Sequence, residues 1–293
     1  MRIAFIGLGN MGSGMAANQA KAGREIVAFD LSSEALARAQ EQGMTPAVSA
    51  REAVNDADVV ITMLPAGDHV RSVYAEAILP HAPKDALLID CSTIDVDSAR
   101  TVARDASMQG FRTAAAPASG GTAAAAAGAL TFMVGCREQD FAEIESALKP
   151  MAKAVIRAGD SGAGQAAKIC NNMLLGISMV GVSEAFALAE GLGLDAQKFY
   201  DIASQASGQC WSLTSYCPWP GPVPAAPSNR DYEGGFAAAM MLKDLKLAQE
   251  AADISGAPTP LGGAAEALYS EMVERGFGQK DFSFILQMLR GRP

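Results

Sequence analysis

Lys168 stands where a lysine is costly unless it is used. Gly164, Lys168, Asn171 and Asn172 fall at i, i+4, i+7 and i+8 of an apolar run that also holds Ile169, Met173 and Leu174. On a helix those spacings share one stripe. A lysine and two asparagines on such a stripe are expensive to bury unless they are paired or put to work. A helix-surface lysine is ordinarily solvated, but the neighbours here argue against full solvation. A desolvated lysine can lose its proton near neutral pH and act as a general base, so the residue types predict proton transfer at Lys168.

A second constellation lies at the N-terminus. The run Ile3-Ala4-Phe5-Ile6 leads into Gly7-Leu8-Gly9-Asn10-Met11-Gly12, and helix-forming residues follow at once. Gly7 permits a tight turn, Gly9 lets the backbone approach a pyrophosphate, and Gly12 allows the helix to pack close to the strand. The anion then rests on a helix N-terminus, where free N–H groups and the dipole favour negative charge. Alone the motif is weak, but Asp30 closes the second strand. A carboxylate there accepts hydrogen bonds from ribose hydroxyls and repels a 2′-phosphate, which selects NAD over NADP. No basic residue follows Asp30 until Arg38. The strand ends Leu64-Pro65 and Asp90-Cys91-Ser92-Thr93 extend the same ligand-facing edge, since ligands bind beyond the carboxyl ends of strands in open α/β sheets.

A third segment, Ala116-Pro117-Ala118-Ser119-Gly120-Gly121, offers a hydroxyl and two sterically open backbone N–H groups. Such a concavity suits a carboxylate; it reads equally well as a plain glycine-rich loop.

These groups need a scaffold, and the chain supplies two kinds. The first half alternates short apolar runs with alanine-rich stretches. Strands are expected at Arg2–Ile6, Glu25–Asp30, Asp58–Leu64, Ala86–Asp90, Phe111–Ala115, Leu130–Val134 and Ala154–Ile156, with helices such as Met11–Ala22 and Ser33–Gln42. That alternation implies right-handed βαβ crossovers and a largely parallel sheet. After Gly159 the pattern changes to one long helix over Gly164–Gly191, then Ala196–Ser204, Ala237–Ser255, Leu261–Arg275 and Phe282–Leu289. The fold class is α/β: a Rossmann-type dinucleotide-binding domain over residues 1–161 and an all-α domain over 162–293, linked by the long helix. Cys217–Pro227 is proline-rich and must be an ordered loop or a linker.

Composition narrows the partners. The 293 residues carry a formal charge of −9, which disfavours nucleic acid or an anionic membrane surface. The apolar stretch Met173–Val182 is too short to span a bilayer, and the N-terminus does not read as a signal peptide. Five cysteines without a C-x-x-C pair and only two histidines argue for reduced thiols in a cytoplasmic protein and against a metal site. The long apolar helix suggests paired subunits, a homodimer or a homotetramer.

Taken in order, Gly7–Gly12 with Met15-Ala16, Asp90–Thr93, Ser119–Gly121, Gly162–Asn172, and Lys243-Asp244-Leu245 with Leu247-Ala248 resemble the β-hydroxyacid dehydrogenase family along essentially the whole chain. The resemblance implies a 6-phosphogluconate dehydrogenase-like fold and NAD-dependent oxidation of a small hydroxyacid. It implies Lys168 as acid/base, Ser119, Gly120 and Gly121 gripping the substrate carboxylate, and Asn172 orienting the substrate. Thr93 and Lys243 would meet the nicotinamide end, supported by Asp244. Read without the family, Lys243 is a solvated helix residue. Trp211 and Phe236 would wall the apolar side of the pocket, though as single aromatics they fit a core equally well. The segment from Cys217-Pro218-Trp219-Pro220-Gly221 to Gly235-Phe236, with Asn171–Gly176, resembles the branch acting on 3-hydroxyisobutyrate in valine breakdown. Serine, glyoxylate, tartronate semialdehyde and succinic semialdehyde are the alternative substrates. A non-catalytic binding module of the same fold is the rival of another class, and retention of Lys168 speaks against it. The alanine run Thr122–Ala127 and Cys136 depart from the family pattern and leave the pocket shape open.

Overall fold

The computed structural model describes residues 1–291. Among them the chain forms a nine-stranded sheet followed by helices. The strands are β1 (Arg2–Ile6), β2 (Glu25–Phe29), β3 (Thr45–Pro46), β4 (Val59–Thr62), β5 (Leu87–Asp90), β6 (Arg112–Ala115), β7 (Ala118–Ser119), β8 (Leu130–Gly135) and β9 (Ala152–Gly159). Their order is β3-β2-β1-β4-β5-β6-β8-β7, with β9 paired to β8. The first six run parallel; β8 is antiparallel to β6 and β7 and parallel to β9.

The sequence explains the parallel part directly. β4 and β5 are apolar almost throughout and buried at every residue, as expected of strands covered on both faces. Alternate residues enter opposite layers: Ile3 and Phe5 of β1 join one apolar cluster, Ala4 and Ile6 the other. The two-residue strands β3 and β7 were not expected, because two residues carry no periodic signal. The alanine run is a helix, Gly121–Ala127. It lies so close to the helix Gly12–Lys21 that a Cβ on Gly14 would stand 2.9 Å from Ala126 N, and Asn18 Nδ2 donates to Ala125 O at 2.7 Å. Small side chains permit that approach.

The helical part comprises Ala163–Gly191, Ala196–Ala203, Trp211–Thr214, Ala238–Ser255, Pro260–Met272 and Ile285–Leu289. The helix expected to reach Arg275 instead ends in a wider turn over Val273–Phe277, where Gly276 has φ +89°. The last expected helix begins as a 3₁₀ turn, Phe282–Phe284. Met179, Met241, Leu245, Tyr269, Phe282 and Ile285 form the main core of this part.

Packing divides the chain into two compact units, Met1–Lys168 and Ile169 onward. The sequence reading places the boundary at 161/162; packing places it inside the long helix, whose first turn is held by the sheet. A Cβ on Gly164 would lie 2.4 Å from Met133 O and 2.7 Å from Ala115 O. The 29-residue helix is longer than the apolar run Met173–Val182, and by length and apolar composition alone it passes the test for a membrane span, a test that core helices also pass. It buries Gln165, Lys168, Asn172 and Ser183 within the protein, as a core helix does.

Candidate active site

The fingerprint glycines separate into two kinds. Gly7 has φ +97°, and a Cβ there would stand 2.2 Å from Met63 O; one on Gly12 would stand 2.0 Å from Gly7 O. Both are therefore required by the protein's own packing. A Cβ on Gly9 would meet nothing within 4 Å, so that position is kept open on the outer side of the turn. Gly9 and Asn10 are exposed and Met11 is half-buried.

The helix Gly12–Lys21 begins at Met11 with no side-chain cap and no acidic residue in its first turn. The helices Ser33–Glu41 and Val96–Met108 are capped by Ser32 and Asp95 and carry Glu34 and Asp97 in their first turns. The fingerprint helix thus leaves its positive end for an anion. This end sits where β1 lies between β2 and β4, the point at which strand order reverses. Asp30 follows β2 half-buried; Oδ2 accepts from Leu8 N at 2.6 Å and Oδ1 from Ser32 N at 2.8 Å. Each oxygen keeps a lone pair for a ribose hydroxyl. Open glycine, uncapped helix end and acceptor fit a dinucleotide.

The ends of β4 and β5 are joined by a polar network that the sequence reading did not resolve. Asp90 is 4% exposed, and its Oδ1 accepts from Thr62 Oγ1 at 2.7 Å, Ser92 Oγ at 2.6 Å and Ser92 N at 3.3 Å. Ser92 Oγ in turn accepts from Leu64 N at 2.8 Å. Burial, and then the charge of Asp90, push the Tyr74 phenol and the Cys91 thiol well above their ordinary values. The network fixes Leu64, which leads to the exposed Pro65, and the segment that carries the half-buried Thr93.

Ser119 ends β7, Gly120 and Gly121 have φ +141° and +73°, and Gly121 opens the alanine-rich helix without a side-chain cap. Lys168 is 6% exposed on the long helix. Gly164, Lys168 and Asn172 are buried together on one stripe, whereas Asn171 is exposed and donates to Asn172 Oδ1 at 2.9 Å. That corrects the placing of Asn171 on the buried stripe: i+7 lies at its edge.

In the helical unit Asn172 Nδ2 donates to Asp244 Oδ2. Asp244 is 3% exposed, so the carboxylate read as support for the nicotinamide contacts is engaged with Asn172, beside the half-buried Lys243. Trp211 is 52% exposed and stacks on Tyr216 at 4.9 Å, which excludes the core reading for Trp211. Tyr216 donates to Asp281 Oδ2 at 2.7 Å, and Phe236 N donates to the same oxygen at 2.8 Å. Asp281 is fully buried; burial raises its carboxyl above the ordinary range against the pull of donors from Ser283, Tyr216 and Phe236. Burial and the neighbouring Asp281 likewise raise the Tyr216 phenol.

Trp219 packs within the helical unit. It stacks on Phe186 at 5.6 Å, and the Arg290 guanidinium lies 4.3 Å over its ring while bonding Glu190 at 2.6 and 2.7 Å. Phe186 is 18 residues beyond Lys168, about 27 Å along the helix. Trp219 therefore anchors its loop while staying half-buried, as Tyr216 and Phe236 are, and Trp211 is exposed.

Sequence reasoning missed Gln165, Thr62, Tyr216 and Asp281. Gln165 carried a signal, being a polar residue three positions before Lys168 on an apolar helix. Asp281 shares the spacing D-x-S with Asp90. Thr62 and Tyr216 gave none, since only tertiary packing brings them to their carboxylates.

Comparison with known proteins agrees with this geometry. Residues 2–159 match the model of the NAD binding domain of 6-phosphogluconate dehydrogenase. Residues 162–289 match the NAD-binding model of NADP-dependent 3-hydroxyisobutyrate dehydrogenase. The 3-hydroxyisobutyrate dehydrogenase of Pseudomonas aeruginosa is 46% identical over 294 residues, covering 99% of both chains. The NAD-dependent L-serine dehydrogenase of the same organism is 45% identical over 289 residues, covering 98% of this chain and 97% of that one. The solved structure of Mycobacterium tuberculosis 3-hydroxyisobutyrate dehydrogenase with L-serine superposes with a TM-score of 0.94 at 45% identity, covering 99% of each chain. With an open dinucleotide cradle and a buried lysine on the interdomain helix, the chain belongs to the β-hydroxyacid dehydrogenase family of NAD-binding oxidoreductases.

Proposed function

We propose that the protein oxidises 3-hydroxyisobutyrate to methylmalonate semialdehyde with NAD, a step of valine breakdown in the cytoplasm. The observation that carries this reading is Lys168, buried on the helix that also holds Asn172 one turn further on. NAD, when bound, supplies the hydride acceptor. Lys168 Nζ takes the hydroxyl proton as hydride leaves the carbinol carbon, so the alcohol becomes an aldehyde and the protein gains one proton. Ser119, Gly120 and Gly121 grip the carboxylate, Asn172 orients the substrate with its amide fixed by Asp244, and Trp211 and Phe236 form the apolar wall. Gly7, Gly9, Asn10, Met11, Gly12, Asp30, Leu64 and Pro65 bind the dinucleotide. Thr93 and Lys243 would meet its nicotinamide end.

L-serine oxidation is the second reading, favoured by the relative of that name and by the solved structure with L-serine. The two acids differ at the carbon bearing a methyl or an ammonium group. Comparing kcat/KM for both acids, with NAD and with NADP, decides between them: the proposal expects 3-hydroxyisobutyrate with NAD to lead, and a lead for L-serine overturns it. Subunit pairing is part of the reading, supported by Leu174, Gly181 and Leu188, exposed at seven-residue spacing on the long helix. Sedimentation as a monomer would remove that part.

A further inference from the structure

We propose that Gln165 is the positioning residue that sets Thr93 against the nicotinamide end of the site, a role that rests on the reading of Thr93 and Lys168 given above. Gln165 is fully buried in the first turn of the long helix. Its Nε2 donates to Ser92 O at 2.7 Å, and its Oε1 accepts from Ile94 N at 3.3 Å. The two bonds flank Thr93 on either side. A residue in a parallel sheet pairs with its neighbouring strand in this way, donating to the carbonyl before the opposed residue and accepting from the N–H after it. The side-chain amide therefore imitates one residue of an adjacent strand.

The need for such a substitute is visible in the sheet. β5 ends at Asp90, and backbone pairing continues only to Cys91 N on Thr62 O and Ala116 N on Asp90 O. Beyond that point Gln165 holds the chain. Gln165 and Lys168 lie at i and i+3 on one buried face of one helical turn. One turn thus carries the proton acceptor and the clamp on Thr93, so the two are registered to each other. The close approach that puts the turn there depends on Gly164, where a Cβ would collide with Met133 O and Ala115 O.

The clamp needs both halves of the amide. Gln165→Met keeps length and burial and loses both bonds. Gln165→Glu keeps the acceptor for Ile94 N, but when ionised sets an oxygen against Ser92 O; when protonated it can donate again. With the full-length enzyme, Gln165→Met is expected to lower kcat by roughly 100-fold, the scale of a small misplacement of a reacting group. NAD affinity should stay within about threefold, since pyrophosphate and ribose contacts are untouched. The primary deuterium isotope effect on kcat should rise as hydride transfer becomes limiting. Gln165→Glu should regain turnover as pH falls, with a titration absent from the parent enzyme. A folded Gln165→Met with parental kcat and isotope effect overturns the proposal. If Gln165→Met does not fold, Gln165→Glu decides: a pH profile of parental shape overturns it. Lys168→Ala, measured alongside, separates the two readings. Normal turnover in that variant sinks the catalytic assignment itself, whereas loss there with parental kinetics in the Gln165 variants sinks only the clamp.

Discussion

Asp90 and Asp281 repeat one local device in two different settings. In each, a buried aspartate accepts from both the backbone N–H and the hydroxyl of the serine two residues later. In the sheet unit Thr62, from the neighbouring strand end, also donates to it, and the serine in turn accepts from Leu64 N. In the helical unit the remaining donors are Tyr216 and Phe236, from two loop segments. In the proposed function the first device would stiffen a surface for the dinucleotide, and the second would hold an aromatic wall for the acid. The same D-x-S spacing thus occurs in two settings, and the partners brought by the fold distinguish them.

Variants can break that division. The largest effect is expected at Lys168, in the sheet unit: Lys168→Ala should lower turnover by roughly a hundred- to ten-thousand-fold, as removal of a general acid–base group does. NAD titration should remain close to parental. Asp30→Ser should lower kcat/KM for NAD by roughly 10- to 100-fold and narrow the margin over NADP, because a charged acceptor is lost and a repulsive one removed. Initial rates with both dinucleotides measure it.

Asp90→Asn and Asp281→Asn test the comparison directly. Asp281→Asn should cost about 1–3 kcal/mol of stability, because one of two accepting oxygens becomes a donor; Asp90→Asn keeps the one oxygen that accepts from Thr62 and Ser92 and should cost less. Their kinetics should differ: Asp90→Asn moves kcat and NAD affinity, Asp281→Asn raises KM for the acid. One common kinetic signature for both would dissolve the distinction.

A smaller effect concerns pH. The Asp281 carboxyl is raised by burial, so the folded state holds its proton longer than the unfolded chain does. Its contribution to stability is therefore full below the ordinary carboxylate value and is lost as pH climbs from there through the raised value. Urea midpoints of parent minus Asp281→Asn should fall across that window; a flat difference contradicts the assignment. The smallest effect is chemical. Burial pushes the Cys217 thiol up to about 12, and Cys91 is raised further by Asp90, so neither should be alkylated at mild pH, while the exposed Cys170 should be. Mass mapping after iodoacetamide reads it.

Much of this was legible in the residues alone. β1 was expected at its observed limits, because a fully covered parallel strand is apolar without interruption and its glycine turn marks the end. The long helix was expected to within one residue, since no proline interrupts it and its polar residues recur at helical spacing. Gly7, Gly9, Gly12 and Asp30 could be singled out because their tasks are local, each set by a turn, a close approach or a strand end. Trp219 could not be placed: an aromatic beside prolines reads the same whether it lines a pocket or fills a core. Only the fold shows Phe186 beneath it and Arg290 above. Asp90, Asp281 and Gln165 belong to the same class. Their bonds to Thr62, Tyr216 and the segment around Thr93 span 28, 65 and more than 70 residues, and no periodicity records such separations. What the sequence determined by itself was the scaffold and the groups able to do chemistry, because those follow from local spacing. What the tertiary structure decided was their aim, because aim is set by buried polar bonds between residues far apart in the chain.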